Sequence, residues 1–366
     1  MKDKLKQNKI APILEPPTDS KSLRPEPTGL FANNPIDLDV LRKLEGQSIL
    51  SVRELEREQV IELCKLAAIL ENFEIAPFHV LDGKLAITAF FEASTRTRLS
   101  FETAFQRLDG KILSIPEGGV TGVKKGESLE DIGEMFNAYG DLVIMRHVDT
   151  DSLDRLSSRL RIPLVNAGNG SGEHPTQALA DWYALLKWNP NLAVAINKQD
   201  DRPLQLGILG TPGSMRAVKS FLLMSLMFAK KIERVIIVSE MADPYGADLA
   251  DDVKAGGIDF TVTNDVQDVL PNLDIIYMNS IAFLGDSYRA LDSRYKLHAE
   301  SRLKENAVIL HPLARLDELS TSLDDTSHNL YFSQAHGAVF IRQALLISVL
   351  GRLDRLPKEI PTTINS

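Results

Sequence analysis

Ala86-Ile87-Thr88-Ala89-Phe90-Phe91 runs directly into Glu92-Ala93-Ser94-Thr95-Arg96-Thr97-Arg98-Leu99-Ser100-Phe101. The first six residues are small, β-branched or aromatic and predict a buried strand. From Arg98 to Leu108, Leu99, Phe101, Phe105 and Leu108 fall on spacings that a helix buries. The basic, hydroxyl-rich run between them therefore opens a helix. There the unpaired backbone N–H groups and the positive end of the dipole favour an anion. Ser94, Thr95 and Thr97 add hydroxyl donors, and Arg96 and Arg98 add guanidinium forks that match phosphate oxygens. An isolated Ser-x-x-x-Arg would read as a helix cap beside solvated arginines. Two arginines interleaved with three hydroxyls read as a phosphate site.

The same strand-then-helix alternation continues outward. Strands are predicted at 86–91, 111–115, 141–146 and 162–166, with helices at 98–108, 127–138 and 174–188. Such alternation implies a parallel α/β sheet. A polar segment, 189–203, precedes a second run with strands near 205–210, 234–239, 274–278 and 306–310. The last apolar helix, Val339 to Leu350, has no strand after it and is expected to return to the first domain. Upstream, Ser51 with Glu54 forms a capping box ahead of a helix reaching Phe73. Pro12, Pro16, Pro17, Pro25 and Pro27 stand among charged residues and serines, which reads as a flexible arm. The expected organisation is an arm at 1–35, a first domain at 36–188, a second at 189–335, and a bracing helix with a tail at 336–366. Both domains are α/β, each with a mostly parallel sheet flanked by helices.

A chain of 366 residues exceeds one ordinary core, in keeping with two domains. With 44% hydrophobic and 25% charged residues the composition is that of a soluble globular protein. A net charge of −9 argues against nucleic acid as a partner, although a local basic pocket can still hold a small anion. Cys64 is the single cysteine, so neither an intramolecular disulfide nor a cysteine zinc cluster can form. No apolar run is long enough to span a bilayer, and residues 1–30 lack a signal-peptide core, so no membrane partner and a cytoplasmic setting are expected. The seven histidines show no ligand spacing with carboxylates, so no metal is expected. Gly207-Ile208-Leu209-Gly210-Thr211-Pro212-Gly213 lacks the Gly-x-Gly start of a dinucleotide turn, and no cofactor is expected.

Three further clusters carry chemistry. Val123-Lys124-Lys125-Gly126-Glu127 is a lysine pair before a helix. Met145-Arg146-His147 ends a strand, and His174-Pro175-Thr176-Gln177 opens a helix after a Gly-rich stretch at 168–172. His311-Pro312-Leu313-Ala314-Arg315 follows the last strand of the second domain. Strand carboxyl ends are where open parallel sheets bind ligands.

In order and spacing, Ser-Thr-Arg-Thr-Arg, Lys-Lys-Gly-Glu, Met-Arg-His and His-Pro-Thr-Gln resemble the aspartate and ornithine carbamoyltransferase family, from about Ile49 to Gly351 and nearer its aspartate branch. The resemblance implies that Ser94, Thr95, Arg96 and Thr97 hold carbamoyl phosphate and that Arg146 completes the anion clamp. It further implies that His174 polarises the carbamoyl carbonyl, while Gln177 and the Leu313 backbone carbonyl receive its amide. Arg96, Thr97 and His174 would stabilise the oxyanion formed when a neutral amine attacks. Thr121 and Lys125 would sit on a loop that reaches a neighbouring subunit's site, which implies a homotrimer with shared sites. Association with other subunits is left open.

On the acceptor side Arg216 is retained for a carboxylate of the amino acid, with Thr121, Lys125 and Leu313 around it. Tyr277-Met278-Asn279-Ser280-Ile281-Ala282 departs from the pattern, because Ser280 and Ala282 stand where the family supplies an arginine and a glutamine. Arg289 and Arg294 follow further on, and Ala314 replaces a usual proline. An ornithine enzyme is disfavoured because His311-Pro312-Leu313 stands where that branch carries Cys-Leu-Pro. The expected function is carbamoyl transfer to an amino acid, with aspartate the best candidate. The alternatives are transfer to another carboxylate-bearing amine, or a non-catalytic homologue that binds carbamoyl phosphate and scaffolds or regulates a partner.

Overall fold

Apolar strands alternating with amphipathic helices produce two parallel sheets in the computed structural model, which describes residues 23–72, 79–116, 126–194, 202–241, 243–279 and 295–357. Helices α1 (Leu38–Arg42) and α2 (Arg57–Asn72) precede β1 (Leu85–Phe90), α3 (Thr95–Arg107), β2 (Lys111–Ile115), α4 (Leu129–Tyr139), β3 (Leu142–His147), α5 (Ser152–Ser157), β4 (Leu164–Asn169) and α6 (Pro175–Trp188). The second half runs β5 (Leu204–Leu209), α7 (Arg216–Leu226), β6 (Ile232–Val238), α8 (Ala250–Ala255), β7 (Asp259–Thr263), α9 (Val266–Val269), β8 (Ile275–Met278), β9 (Val308–Leu310) and α10 (Tyr331–Val349). All pairings are parallel, in the orders β2-β1-β3-β4 and β7-β6-β5-β8-β9.

Those orders place the functional positions. In the first sheet β1 connects outward to β2 and β3 connects the other way to β4, so a crevice opens between the carboxyl ends of β1 and β3. In the second sheet the reversal falls between β5 and β8. The residues that leave these crevices are Glu92 to Thr97, Arg146, and the turn ending at Arg216.

Sequence and structure differ at several points. Ser51 and Glu54 do form a reciprocal capping box, but over a single 3-10 turn, Val52–Glu54, and α2 begins only at Arg57. Its expected last residue, Phe73, lies outside the described residues. Leu99 was expected in the core; it is 49% exposed, while Phe101, Phe105 and Leu108 are buried. Residues 23–35 are not a free arm. Pro27–Leu30 form a 3-10 turn against α2 and α6, Leu30 and Phe31 are buried, and Leu23 N donates to Asn329 O. Strand β7 escaped the pattern because it is an edge strand with three of its five residues exposed. Cys64 is fully buried, as a packing residue should be.

Helix α10 begins at Tyr331, eight residues before its apolar run, because Gln334 and Gly337 are consumed by packing. It lies against α2, α3 and α6, all in the first half of the chain, and so braces the molecule as expected. Gly337 permits close approach: a Cβ there would come within 2.8 Å of the Tyr183 ring. One carboxylate fastens this junction. Glu71 of α2 accepts from Tyr183 Oη at 2.5 Å and from Lys187 Nζ at 2.9 and 3.0 Å on α6, and His336 Nδ1 of α10 lies 3.6 Å away. Lys187 is 4% exposed, so it depends on this partner. Among the described residues no helix is long and apolar enough to cross a membrane.

Burial opposes the Glu71 charge, but hydrogen bonding from His336, the charge of Lys187 and the Tyr183 hydroxyl outweigh it and bring the carboxyl down to about 2. A depressed carboxyl stabilises the fold above its ordinary range, and that contribution disappears as pH falls from about 4.5 towards about 2. Glu71→Gln should therefore lose about 3–5 kcal/mol of unfolding free energy at neutral pH, since it strands a buried ammonium. Its stability should also be flatter than wild type over that acid window. Denaturant melts at pH 7, 4 and 2 check this, and parallel pH profiles for the two proteins would refute it.

Candidate active site

Helix α3 starts with its donors free. Ser94 is the N-cap, yet its hydroxyl makes no capping bond among the described residues, and the first intrahelical bond is Arg98 N to Ser94 O at 3.2 Å. The N–H groups ahead of Arg98 and the residues Ser94 and Thr95 thus stand just beyond the carboxyl end of β1, and Thr97 is buried. Arg96 is exposed and its guanidinium makes no hydrogen bond or ion pair among the described residues; partial burial lowers its pKa. Arg98, expected to share the phosphate, instead pairs with Glu102 of its own helix at 3.7 Å. The 3.6-residue period carries position 98 round to another face.

Arg146 projects from the carboxyl end of β3, where the β3–β4 register shifts between Met145 and His147. Such an irregularity re-aims a side chain. Its Nη2 donates to Glu92 Oε1 at 2.8 Å. Arg216, at the start of α7, meets the same carboxylate bidentately: Nη2 to Oε1 and Nη1 to Oε2, both 2.8 Å. Arg216 Nη1 also donates to Gly170 O at 3.1 Å. Glu92 therefore bridges two guanidiniums from opposite sheets and offsets one of their two charges. Burial works against its charge, but the bonds from Arg216 and the charge of Arg146 prevail and hold its carboxyl below the usual range. Burial and the neighbouring Arg216 charge lower Arg146 in turn. Gly168, at φ +113°, lies where a Cβ would approach Arg216 Nε to 3.1 Å and Arg146 Nη1 to 3.5 Å, so the two arginines need a residue without a side chain there.

His174 is 4% exposed at the N-terminus of α6. Its backbone N–H donates to Ser220 Oγ of α7 at 2.8 Å, a contact between the two halves. Complete burial, then the charges of Arg146, Arg342 and Arg216, push its pKa well below the ordinary value, so the ring is neutral. Nδ1 lies 3.4 Å from Thr176 Oγ1, while Nε2 has no partner among the described residues. One turn on, Gln177 Nε2 donates to Asp181 Oδ1 at 2.7 Å, and Gln334 Nε2 of α10 donates to the same oxygen at 2.6 Å. Gln334 Oε1 accepts from His311 N at 2.9 Å. His311 Nδ1 accepts from Leu313 N at 2.9 Å, which leaves Nε2–H for Glu318 Oε1 at 2.9 Å. Leu313 adopts the left-handed conformation, φ +52°, and the Leu313–Ala314 peptide is cis. Arg342 of α10 stacks over Phe101 and donates to Ser100 Oγ, which donates to Arg96 O at 2.7 Å and Thr97 O at 3.0 Å. Helix α10 thus touches the α3 start, the middle of α6 at Asp181 and the 311–315 loop. A further tie is Arg53, which joins Glu173 at 2.7 Å to Asp252 at 2.6 Å across the halves.

The structure brings Ser94, Thr95, Arg96, Thr97, Arg146 and Arg216 to one crevice, and it links Gln177 with Leu313 through hydrogen bonds. Thr121, Lys125, Ser280, Ala282, Arg289 and Arg294 lie outside the described residues. Glu92, Asp181, Gln334 and Arg342 were not assigned from sequence. Glu92 was legible as a carboxylate two residues before the phosphate run; the other three carried no local signal.

Facing switch points, with arginines gathered at a helix N-terminus between them, define a two-domain α/β protein built around an anionic ligand. The comparisons are specific. Residues 47–187 match the model of the aspartate/ornithine carbamoyltransferase carbamoyl-P binding domain, and residues 203–349 match that of its Asp/Orn binding domain. The aspartate carbamoyltransferase catalytic subunit of Vibrio campbellii is 36% identical over 84% of this chain and 97% of its own length. That of Thermococcus kodakarensis is 35% identical over 84% and 98%. The structure of aspartate transcarbamoylase from Trypanosoma cruzi in complex with carbamoyl phosphate and aspartate superposes with a TM-score of 0.75 at 28% identity, covering 84% of this chain and 97% of that one. The chain belongs to the aspartate/ornithine carbamoyltransferase family.

Glu92→Gln removes one negative charge from beside two guanidiniums. Inorganic phosphate should then bind about tenfold more tightly at low ionic strength, with the gain shrinking in salt. Calorimetric titration measures this, and an unchanged affinity would place the anion away from Arg146.

Proposed function

We propose that the chain transfers the carbamoyl group of carbamoyl phosphate to the amino group of aspartate, giving N-carbamoyl-aspartate and phosphate, a step of pyrimidine biosynthesis. The observation that carries this reading is the cradle at the start of α3, where uncapped N–H groups and the free Arg96 stand beside Arg146 and the unpartnered His174 Nε2. Membership of the family supports it, since the relatives matched over most of their length are named aspartate carbamoyltransferase catalytic subunits.

In this reading Ser94, Thr95, Arg96, Thr97 and Arg146 hold the phosphate, and Gln177 with the Leu313 carbonyl receives the carbamoyl amide. The neutral amine attacks the carbamoyl carbon, a C–N bond forms, and the carbonyl oxygen takes up negative charge. Arg96, Thr97 and the Nε2–H of neutral His174 stabilise that charge. The bond between the carbamoyl carbon and the bridging oxygen then breaks, that oxygen leaving on the phosphate, which accepts the amine proton. No side chain need become covalently attached. Arg216 takes one carboxylate of the acceptor in competition with Glu92. The second carboxylate falls to the segment carrying Ser280, Ala282, Arg289 and Arg294.

A homotrimer with shared sites belongs to the same proposal, with Thr121 and Lys125 completing a neighbour's site. Leu99 on α3 and Leu113 on the edge strand β2, 49% and 47% exposed, are apolar surface that a neighbouring subunit would cover.

The direct test measures ureido product from carbamoyl phosphate with a panel of amines, aspartate first, each against a blank without acceptor. Product with aspartate supports the proposal; product with a different amine only would make positions 280 and 282 the specificity switch. Silence with every amine, with carbamoyl phosphate still bound, would favour the non-catalytic partner. Arg96→Ala should keep its fold and lose about 10²–10³-fold in turnover. Lys125→Gln should be folded and nearly inactive alone, and should regain activity when its subunits are mixed with those of Arg96→Ala. Absence of complementation after subunit exchange would count against shared sites.

A further inference from the structure

Asp181 is a fully buried carboxylate on α6 that lies behind the crevice. A carboxylate accepts hydrogen bonds and cannot donate them. Its Oδ1 is shared by two side-chain amides from different helices, Gln177 Nε2 at 2.7 Å and Gln334 Nε2 at 2.6 Å. Each amide must turn its NH2 towards Asp181 and its carbonyl the opposite way. For Gln334 that carbonyl is occupied, accepting His311 N at 2.9 Å and fixing the loop that carries Leu313. For Gln177, which is half-buried, the carbonyl is left for a donor outside the protein core.

The geometry points to Asp181 as the positioning residue that sets the pocket's polarity for an N–H-bearing substrate. It imposes the amide flip of Gln177 directly and the placement of the Leu313 carbonyl through Gln334 and His311. Two acceptors then meet a ligand with an amide NH2, and an analogue with a methyl group in its place leaves both unsatisfied. This deepens the proposed function and rests on it, because the roles of Gln177 and Leu313 come from that reading.

The surroundings agree. Oδ2 faces inward beside the Tyr277 hydroxyl, and among the described residues neither of these atoms has a fully formed hydrogen bond. Burial lifts the Asp181 carboxyl to about 7 against the pull of Gln177, Tyr277, Gln334 and Arg342. At that value part of the population is protonated near neutral pH; the unpartnered Oδ2 has room for the proton, so Oδ1 accepts from both glutamines in either state. An asparagine would fill the same volume but could present either oxygen or NH2 to the two glutamines, so the flips would no longer be imposed.

The experiment compares the affinities of carbamoyl phosphate, acetyl phosphate and inorganic phosphate for the wild type, Asp181→Asn and Gln334→Met, by titration of the full chain. Carbamoyl phosphate and acetyl phosphate differ only in NH2 against CH3. In Asp181→Asn the preference for carbamoyl over acetyl phosphate should fall by about tenfold or more, with inorganic phosphate affinity unchanged. Gln334→Met, which leaves Asp181 and Gln177 paired, should lose part of the same preference, and it decides the matter if Asp181→Asn does not fold. A defect that only loosened the fold would weaken all three ligands together. Equal losses for all three ligands, or no change in preference in either variant, would overturn the assignment. Binding constants do not require turnover, so a wild type that discriminates the two acyl phosphates yet transfers neither would sink the proposed reaction and leave this positioning role standing.

Discussion

The molecule is organised around the difficulty of gathering positive charge. An anion site needs several guanidiniums within a few ångströms, and like charges at that distance repel strongly once water is excluded. Glu92 resolves this by bonding Arg146 from the first sheet and Arg216 from the second through one carboxylate. The Glu92–Arg216 pair brings the two reversal points together, Gly168 vacates the space the guanidiniums cross, and the register shift after Met145 falls at Arg146. The same bond joins the two halves of the chain, so the charge balance of the site and the relation between domains are one feature.

A second layer of polar contacts lies under the first and runs through α10. Asp181, Gln334 and Arg342 are each buried, and each acts on a segment that bears site residues. Arg342 reaches the α3 start through Ser100, Gln334 reaches the 311–315 loop through His311, and Asp181 holds Gln177. A helix that contributes no atom to the crevice therefore sets the mutual placement of three segments that do. Its approach to the Glu71 junction of α2 and α6, through His336 at 3.6 Å, matters for the same reason.

Family membership and the local departures from its pattern bear on different parts of the site. The motifs that the resemblance assigns to carbamoyl phosphate are present in the sequence, and the structure sets Ser94 to Thr97 near Arg146. The departures from the pattern fall at Ser280, Ala282 and Ala314, in the segments the resemblance assigns to the acceptor. At the last of these the loop is held by His311 and Glu318, whose bonds do not involve residue 314.

The sequence by itself determined the class of fold, because strand and helix periods alternate cleanly in buried elements, and it singled out the Ser94–Arg98 run, because that run is contiguous. It misjudged pieces whose fate depends on what packs against them. Leu99 had a buried spacing and an exposed position; Arg98 sat in the motif and turned to Glu102; residues 23–35 looked unstructured and found a surface on α2 and α6. Only the tertiary structure decided which carboxylates serve the site. Glu92, Asp181 and Glu71 are chemically alike, and nothing in the neighbouring sequence says that one bridges two arginines, one orients two amides and one pins a helix. Those roles depend on partners 124, 153 and 116 residues away, brought within 3 Å by the packing of two sheets and one returning helix.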